Sequence, residues 1–200
     1  HNPLCFQDFL QTSRKVIASQ VERRQSHYFR NNIKVQHGMA RLTSPQTVTI
    51  EDETGAQTEV SGTHIAIATG SRPYRPSGVD FNHSRVFDSD TILNLSYAPK
   101  KITIIGAGII GCEYTCIFKS LGTKVSLINN RDKLLSYLDT EITDALSYYL
   151  RDQGVMIRHN ELLEHVDPKG DTVTVTLSSG IQIKTDLLLI AQGRAGNTEN

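Results

Sequence analysis

Neither sign of charge is in surplus in this sequence of 200 residues: Lys+Arg and Asp+Glu both number 21, and the formal net charge is zero. A nucleic-acid or polybasic membrane-surface role needs a clustered positive field, so no nucleic-acid or membrane partner is expected. Long apolar runs are missing too. None approaches the roughly 20 residues of a membrane span, and residues 1–30 hold no apolar stretch of the signal-peptide kind. Cysteine is scarce and odd in number: Cys5, Cys112 and Cys116 form no disulfide framework, which fits free thiols, a reducing compartment and a cytoplasmic protein. Cys112 and Cys116 lie four apart on an expected helix and read as two small apolar side chains packed on a sheet. The seven histidines lack ligand spacing, so no metal site is expected. An initiating Met is also lacking. The chain begins at His1 and ends in the polar run 196–200, which reads as an internal piece of a longer protein.

What is present divides into two halves. Residues 6–30 carry Phe9, Leu10, Val16, Ile17 and Val21 at helical steps, and Asn31-Asn32 supplies a stop. Residues 33–36, 47–50 and 64–68 read as strands, with a polar turn at 51–55. Residues 74–98, bracketed by Pro73, Pro76 and Pro99 and poor in periodicity, read as a linker.

The second half alternates strands and helices, the pattern of an α/β parallel sheet. Residues 101–105 predict a buried strand and 111–121 a helix whose apolar stripe is Tyr114, Ile117, Phe118 and Leu121, stopped by Gly122. Residues 125–128 predict a second strand. A second helix, capped by Asp139 or Thr140, carries Ile142, Leu146, Tyr149 and Leu150 and stops at Gly154. A third strand at 155–157, a β-ribbon turning at Ser178-Ser179-Gly180 and a last apolar strand at 186–191 complete the pattern.

The chemistry is concentrated in Gly106-Ala107-Gly108-Ile109-Ile110-Gly111. A bare GxGxxG is weak evidence, because glycines also serve turns for steric reasons alone. Here a strand precedes it, an amphipathic helix follows, and a second strand closes a unit of about 30 residues, the context of a dinucleotide site. Gly106 allows the tight turn, Gly108 lets backbone approach a pyrophosphate, and Gly111 lets helix pack on strand. The helix's free N–H groups and positive dipole end then face the phosphates.

At the end of the second strand an NAD site typically has an acid that accepts from the ribose hydroxyls. This chain has Asn129-Asn130-Arg131. Asn still bonds a hydroxyl, and Arg131 offers a forked donor to a 2′-phosphate, so the site is expected to take both NAD and NADP. A solvated surface charge is the competing reading of Arg131. Glu113, in the first turn of the helix, favours the helix dipole whatever else it does.

Four motifs carry a resemblance that covers essentially the whole chain: Ala68-Thr69-Gly70-Ser71-Arg72-Pro73, the glycine loop with Glu113, Phe87-Asp88-Ser89-Asp90, and Ala191-Gln192-Gly193-Arg194. In this order the chain resembles the pyridine nucleotide–disulfide oxidoreductase family of FAD flavoproteins. The resemblance implies a Rossmann-like NAD(P)-binding domain, parallel sheet plus β-ribbon, over residues 98–195. It is attached to the latter part of an FAD-binding domain over 1–97, to which 196–200 begin to return. It implies that Thr69 and Gly70 lie against FAD and that the region around Ala40 nears its adenosine end. Glu113 is the implied catalytic residue, touching the nicotinamide beside the flavin, and Val166 and Gly193 offer backbone contacts to NAD(H) or NADP(H). The implied activity is hydride transfer between NADPH and NAD+ through FAD. A sibling disulfide reductase, of the lipoamide dehydrogenase or glutathione reductase type, and a non-catalytic NAD(P)-sensing module are the alternatives. The first FAD loop, any redox cysteine pair and the dimerisation domain would lie outside this chain. The fragment alone is therefore expected to be inactive, and the full-length protein a homo-oligomer.

Overall fold

The computed structural model describes residues 6–198, with side chains from residue 11 onward. Cys5, the side chains of Phe9 and Leu10, and residues 199–200 lie outside the described residues. The chain divides into two compact units, one over residues 11–69 and the other over residues 70 onward together with residues 6–10.

The expected helix α1 forms over Phe6–Arg30, and from residue 11 onward it belongs to the first unit. An antiparallel meander follows: β1 (Met39–Ser44), β2 (Thr47–Glu51) and β3 (Gln57–Ser61), in the order β1-β2-β3. Asp52 stabilises the β2–β3 turn, its Oδ1 accepting from the Thr54 amide at 2.8 Å and the Ala56 amide at 3.0 Å. Two strand expectations are corrected here. Residues 33–36 and 64–68 are not in strands, although their apolar character suits one. A strand exists only when another strand completes its ladder, and among the described residues nothing pairs with either segment. Residues 39–44, exposed throughout, become a strand because the short turn before Thr47 folds them onto β2.

The second unit contains β4 (Ser71–Pro73), β5 (Val86–Asp88), a 3-10 turn over Thr91–Asn94, β6 (Lys101–Ile105), α2 (Ile109–Ser120), β7 (Lys124–Ile128), α3 (Thr140–Asp152) and β8 (Met156–Arg158). After these come β9 (Leu163–Lys169), β10 (Thr172–Leu177), β11 (Gln182–Thr185), β12 (Leu187–Ile190) and β13 (Arg194–Gly196). Its centre is a five-stranded sheet, β5-β12-β6-β7-β8, parallel at every pair.

Both faces of that sheet are covered, which is why its strands read as continuous apolar runs. Side chains alternate between the faces. Ile104, Leu127 and Leu189 join Cys112 and Phe118 of α2 and Leu150 of α3 in one core. Ile105, Ile128, Leu188 and Ile190 join Val173, Val175 and Leu177 in a second core beneath the antiparallel sheet β11-β10-β9. Most of these side chains are fully buried, and each is worth about 1.5–3 kcal/mol.

Several expectations shift in detail. The segment read as a linker supplies the edge strand β5 and buries Ile92 and Leu95. Three residues leave no periodicity to read, and it is parallel pairing with the distant β12 that holds them. The ribbon has a third strand, β9, and β4 pairs antiparallel with β13. The buried face of α2 runs through Gly111, Cys112, Thr115 and Phe118, with Tyr114 and Ile117 on its flank. On α3 only Leu150 of the expected stripe is buried, with Leu146 packed against the core; Ile142 and Tyr149 are exposed. Asp139 is the cap, its Oδ1 accepting from the Glu141 amide at 2.9 Å.

Asp88, fully buried at the end of β5, anchors this edge. It forms a salt bridge with Arg75 at 2.6 Å and accepts from the Thr91 amide at 2.8 Å and the Asp90 amide at 3.0 Å. Burial alone would raise its pKa, but the Thr91 amide, the Arg75 guanidinium, the Thr91 hydroxyl and the Asp90 amide outweigh it and hold the carboxyl below its ordinary 3.8. A depressed folded-state pKa gives stability that is complete above the unfolded value and is lost as pH falls through the folded one. Asp88→Asn is therefore expected to cost about 2–3 kcal/mol at neutral pH, because Arg75 is half-exposed and keeps water as a partner. Urea unfolding at pH 7 and pH 3 checks this: the gap between parent and variant should narrow at the lower pH.

Candidate dinucleotide-binding site

The chain runs outward from β6 through β7 to β8, then returns to the other side of β6 as β12. Strand order reverses between β6 and β12, and ligands of open parallel sheets bind in the crevice at the carboxyl ends of strands at such a point. A cleft of about 610 Å3 opens there. Its floor is tied by backbone bonds at the strand ends: Gly106 N–H to Ile128 O and Ala191 N–H to Ile105 O, each 2.8 Å.

The three glycines are required for three separate reasons. Gly106 has φ +108°, and a Cβ there would stand 2.4 Å from the Ala191 carbonyl oxygen. At Gly111 a Cβ would fall 1.8 Å from the Gly106 carbonyl oxygen, so α2 packs on the loop backbone itself. Gly108, the N-cap of α2, has φ −78° and ψ −169°, open to any residue, and a Cβ there would meet nothing within 4 Å. Two glycines serve the fold; the third leaves open space in front of a helix N-terminus. The first intrahelical acceptor is the Gly108 carbonyl, taken by Cys112 N–H at 3.0 Å. The amides before Cys112 therefore have no partner within the helix, and no side chain caps them. That arrangement suits a pyrophosphate.

Gly111→Ala is expected to destabilise the unit by about 3 kcal/mol or more, since the obstruction is backbone and cannot swing aside. A thermal-unfolding comparison with Gly108→Ala, which meets no obstruction and is expected to cost only about 1 kcal/mol as a change of N-cap, isolates the effect.

Ala107, Ile109 and Ile110 line the same cleft, as do Asn129, Asn130 and Arg131. The 129–138 loop arches back onto the glycine loop, Leu135 N–H donating to the Ala107 carbonyl at 3.1 Å. Asn129 is buried, and its carboxamide is engaged within this loop: Nδ2 donates to the Lys133 carbonyl at 2.8 Å, and Oδ1 accepts from the Arg131 amide at 3.3 Å. Asn130 and Arg131 are exposed, and Arg131 Nη1 donates to Ser136 Oγ. Gly193, with φ +113°, forms the opposite wall, its carbonyl accepting from Tyr74 N–H at 3.0 Å.

The remaining expected residues lie elsewhere. Val166 is buried in the second core and borders a smaller neighbouring cavity. Glu113 is exposed on α2 and is not a wall of the cleft. Ala40, Thr69 and Gly70 are exposed; at Gly70, φ is +75° and a Cβ would meet only Asn197 Nδ2 at 3.9 Å. Sequence reasoning missed Tyr74, Tyr137 and Glu161 as cleft residues, because each comes from a loop whose position depends on distant pairing. Burial, with Cys116 and Glu113 nearby, pushes the Cys112 thiol up to about 11, so it stays protonated and packs as a small apolar group. Among the described residues no group of three or more His, Cys, Asp and Glu could hold a metal ion, and no helix is long and apolar enough to cross a membrane.

Three of the quoted motifs converge on one guanidinium. Arg194 bonds both oxygens of Asp90, at 2.6 and 3.3 Å, the Ser71 hydroxyl at 2.9 Å and the Ser71 carbonyl at 2.7 Å. A doubly covered parallel sheet with a glycine loop and a helix N-terminus at its switch point is the architecture of a dinucleotide-binding unit. The chain belongs to the pyridine nucleotide-disulphide oxidoreductase family, whose model matches residues 7–200. It is 50% identical over 194 residues to the soluble pyridine nucleotide transhydrogenase of Ectopseudomonas mendocina, and 49% identical over 195 residues to that of Colwellia psychrerythraea. These alignments cover 97% and 98% of the chain but 42% of each relative, so the chain spans less than half the length of the proteins it matches. Among solved structures, the Cu(II) complex of the HOCl-induced flavoprotein disulfide reductase RclA from Escherichia coli superposes with a TM-score of 0.86 at 29% identity. That match covers 98% of this chain and 44% of that one.

Proposed function

We propose that this chain is the pyridine-nucleotide-binding portion of a flavoprotein that moves hydride between NADPH and NAD+ through FAD. The observation that carries the reading is Gly108: backbone at a helix N-terminus, facing a cleft, with no side chain and no neighbour where a Cβ would stand. The 50% identity to soluble transhydrogenases supports the choice of reaction. A bound flavin supplies a hydride store that outlasts the exchange of one nucleotide for another.

The chain's own residues bind and orient. The amides at the start of α2 hold the pyrophosphate, while Asn130 and Arg131 meet the adenosine end. The backbone of Gly193 and Val166 contacts the nucleotide, and Glu113 orients the nicotinamide. Thr69 and Gly70, and the region of Ala40, lie against FAD in the full-length protein. The division into an FAD-binding part before residue 98 and an NAD(P)-binding part from 98 to 195 belongs to this proposal, as do a cytoplasmic location and a homo-oligomer.

Anaerobic stopped-flow mixing of the full-length protein with NADPH tests it. The flavin absorbance should bleach, and NAD+ added in a second mix should restore it. Recovery that requires a disulfide substrate, with NAD+ inert, would instead make the protein a disulfide reductase. No bleaching at all would reduce it to a nucleotide sensor.

A further inference from the structure

The acid that an NAD site typically carries at the end of its second strand is absent here, yet a carboxylate lines the same part of the cleft. Glu161 follows β8, the strand beside β7, and its amide donates to the Asn129 carbonyl at 3.0 Å. Adjacent strands are about 4.8 Å apart, so the acid has in effect moved one strand sideways. We propose that Glu161 determines nucleotide specificity, its carboxylate accepting a hydrogen bond from a donor group on the adenosine half of the dinucleotide. This rests on the dinucleotide reading of the cleft.

The side chain is held like part of a built site. It is 9% exposed, Oε1 accepts from the Ser179 hydroxyl at 2.6 Å, and Oε2 accepts from the Ser178 hydroxyl at 3.1 Å and the Ser179 amide at 3.2 Å. A carboxylate has about four acceptor positions. Three are filled, and the fourth, on Oε1, remains for a ligand. The Ser179 hydroxyl and amide, the Ser178 hydroxyl and the charge of Arg158 keep the group ionised against its burial. Arg158, whose buried Nε has no hydrogen-bond partner among the described residues, contributes its positive charge nearby. With Arg131 on the neighbouring strand end, the cleft then offers an acceptor to the adenosine half and a cation to a 2′-phosphate.

Two donors on the adenosine half fit, a ribose hydroxyl and the 6-amino group of adenine. Glu161→Gln separates them cleanly. The amide oxygen can keep the bonds from Ser178 and the Ser179 amide, while its nitrogen donates to the Ser179 hydroxyl, so the loop stays intact and the free acceptor becomes a donor. In the full-length protein, the affinities of NADH, its hypoxanthine analogue and its 2′- and 3′-deoxyadenosine analogues are measured for parent and variant by titration. In the parent, the analogue lacking the bonded donor should bind about tenfold more weakly than NADH; in the variant that deficit should vanish. Loss of the hypoxanthine deficit identifies the amine, and loss of a deoxy deficit the ribose. Ser179→Ala, which loosens the carboxylate, should shrink the same deficit. Deficits that are unchanged between parent and variants, or absent from the parent for every analogue, overturn the proposal. The parent measurement stands even if a variant fails to fold. A parent that binds no NADH at all refutes the dinucleotide site instead.

Discussion

Replacing Gly108 with valine in the full-length protein is expected to abolish binding of NADH and NADPH alike while leaving the fold and the flavin content nearly unchanged. The two outcomes are separable because of where the new side chain would stand. Its backbone angles, φ −78° and ψ −169°, are those a β-branched residue adopts freely, and no protein atom lies within 4 Å of the added Cβ. The cost therefore falls on the ligand, whose phosphates need that volume. Placing a branched side chain there should cost upward of about 3 kcal/mol, a loss of more than ~100-fold in affinity. Isothermal titration with each nucleotide, beside the visible spectrum of the purified variant, reads both quantities. Loss of flavin with nucleotide binding retained would mean that the glycine loop serves the other cofactor.

The second large effect is selective. Arg131→Ala should weaken NADPH by about 1.5–3 kcal/mol, roughly 10- to 150-fold, and leave NADH nearly untouched, because only NADPH carries a 2′-phosphate to pair with the guanidinium. The structure gives the side chain a supporting contact, Nη1 to Ser136 Oγ within the same loop, which lowers the cost of ordering it for a ligand. Since Arg131 is exposed, added salt should already narrow the NADPH preference of the parent. Equal weakening of both nucleotides would show that Arg131 only shapes the loop. Asn129→Glu is the companion change, intended to push preference toward NAD. Asn129 Nδ2 donates to the Lys133 carbonyl, so an acid there loses that bond and sets a carboxylate against a carbonyl. A fall in thermal midpoint should accompany any gain in NAD preference.

How much of this was legible in the sequence follows from the range of each signal. The glycine loop was readable because strand, loop and helix are consecutive and Gly111 answers a clash with the Gly106 carbonyl five residues before it, whereas the obstruction at Gly106 comes from Ala191 across the sheet. The central strands were readable because burial on both faces writes itself as an apolar run, as in Leu187 to Ile190. Segments whose fate depends on a distant partner were not. Residues 33–36 and 64–68 look like strands and find no ladder among the described residues, while β5, with nothing strand-like in its neighbourhood, is completed by β12 about a hundred residues later. Glu161 was missed for the same reason. Ser178 and Ser179 read as a turn, and only the folded sheet turns them into the donors that fix a carboxylate in the cleft.

The pairing of β4 with β13 has a consequence for how this unit can be handled. Arg72 stands opposite Ala195, and the Asn197 amide reaches the Gly70 carbonyl at 3.1 Å, so the two ends of the 70–198 segment lie on neighbouring strands. Its two cut ends already lie side by side, the geometry in which insertion into a host loop or circular permutation is tolerated. Residues 70–198 are then expected to tolerate transplantation as one piece, with the bonds from Arg194 to Ser71 as the clasp that keeps the ends together.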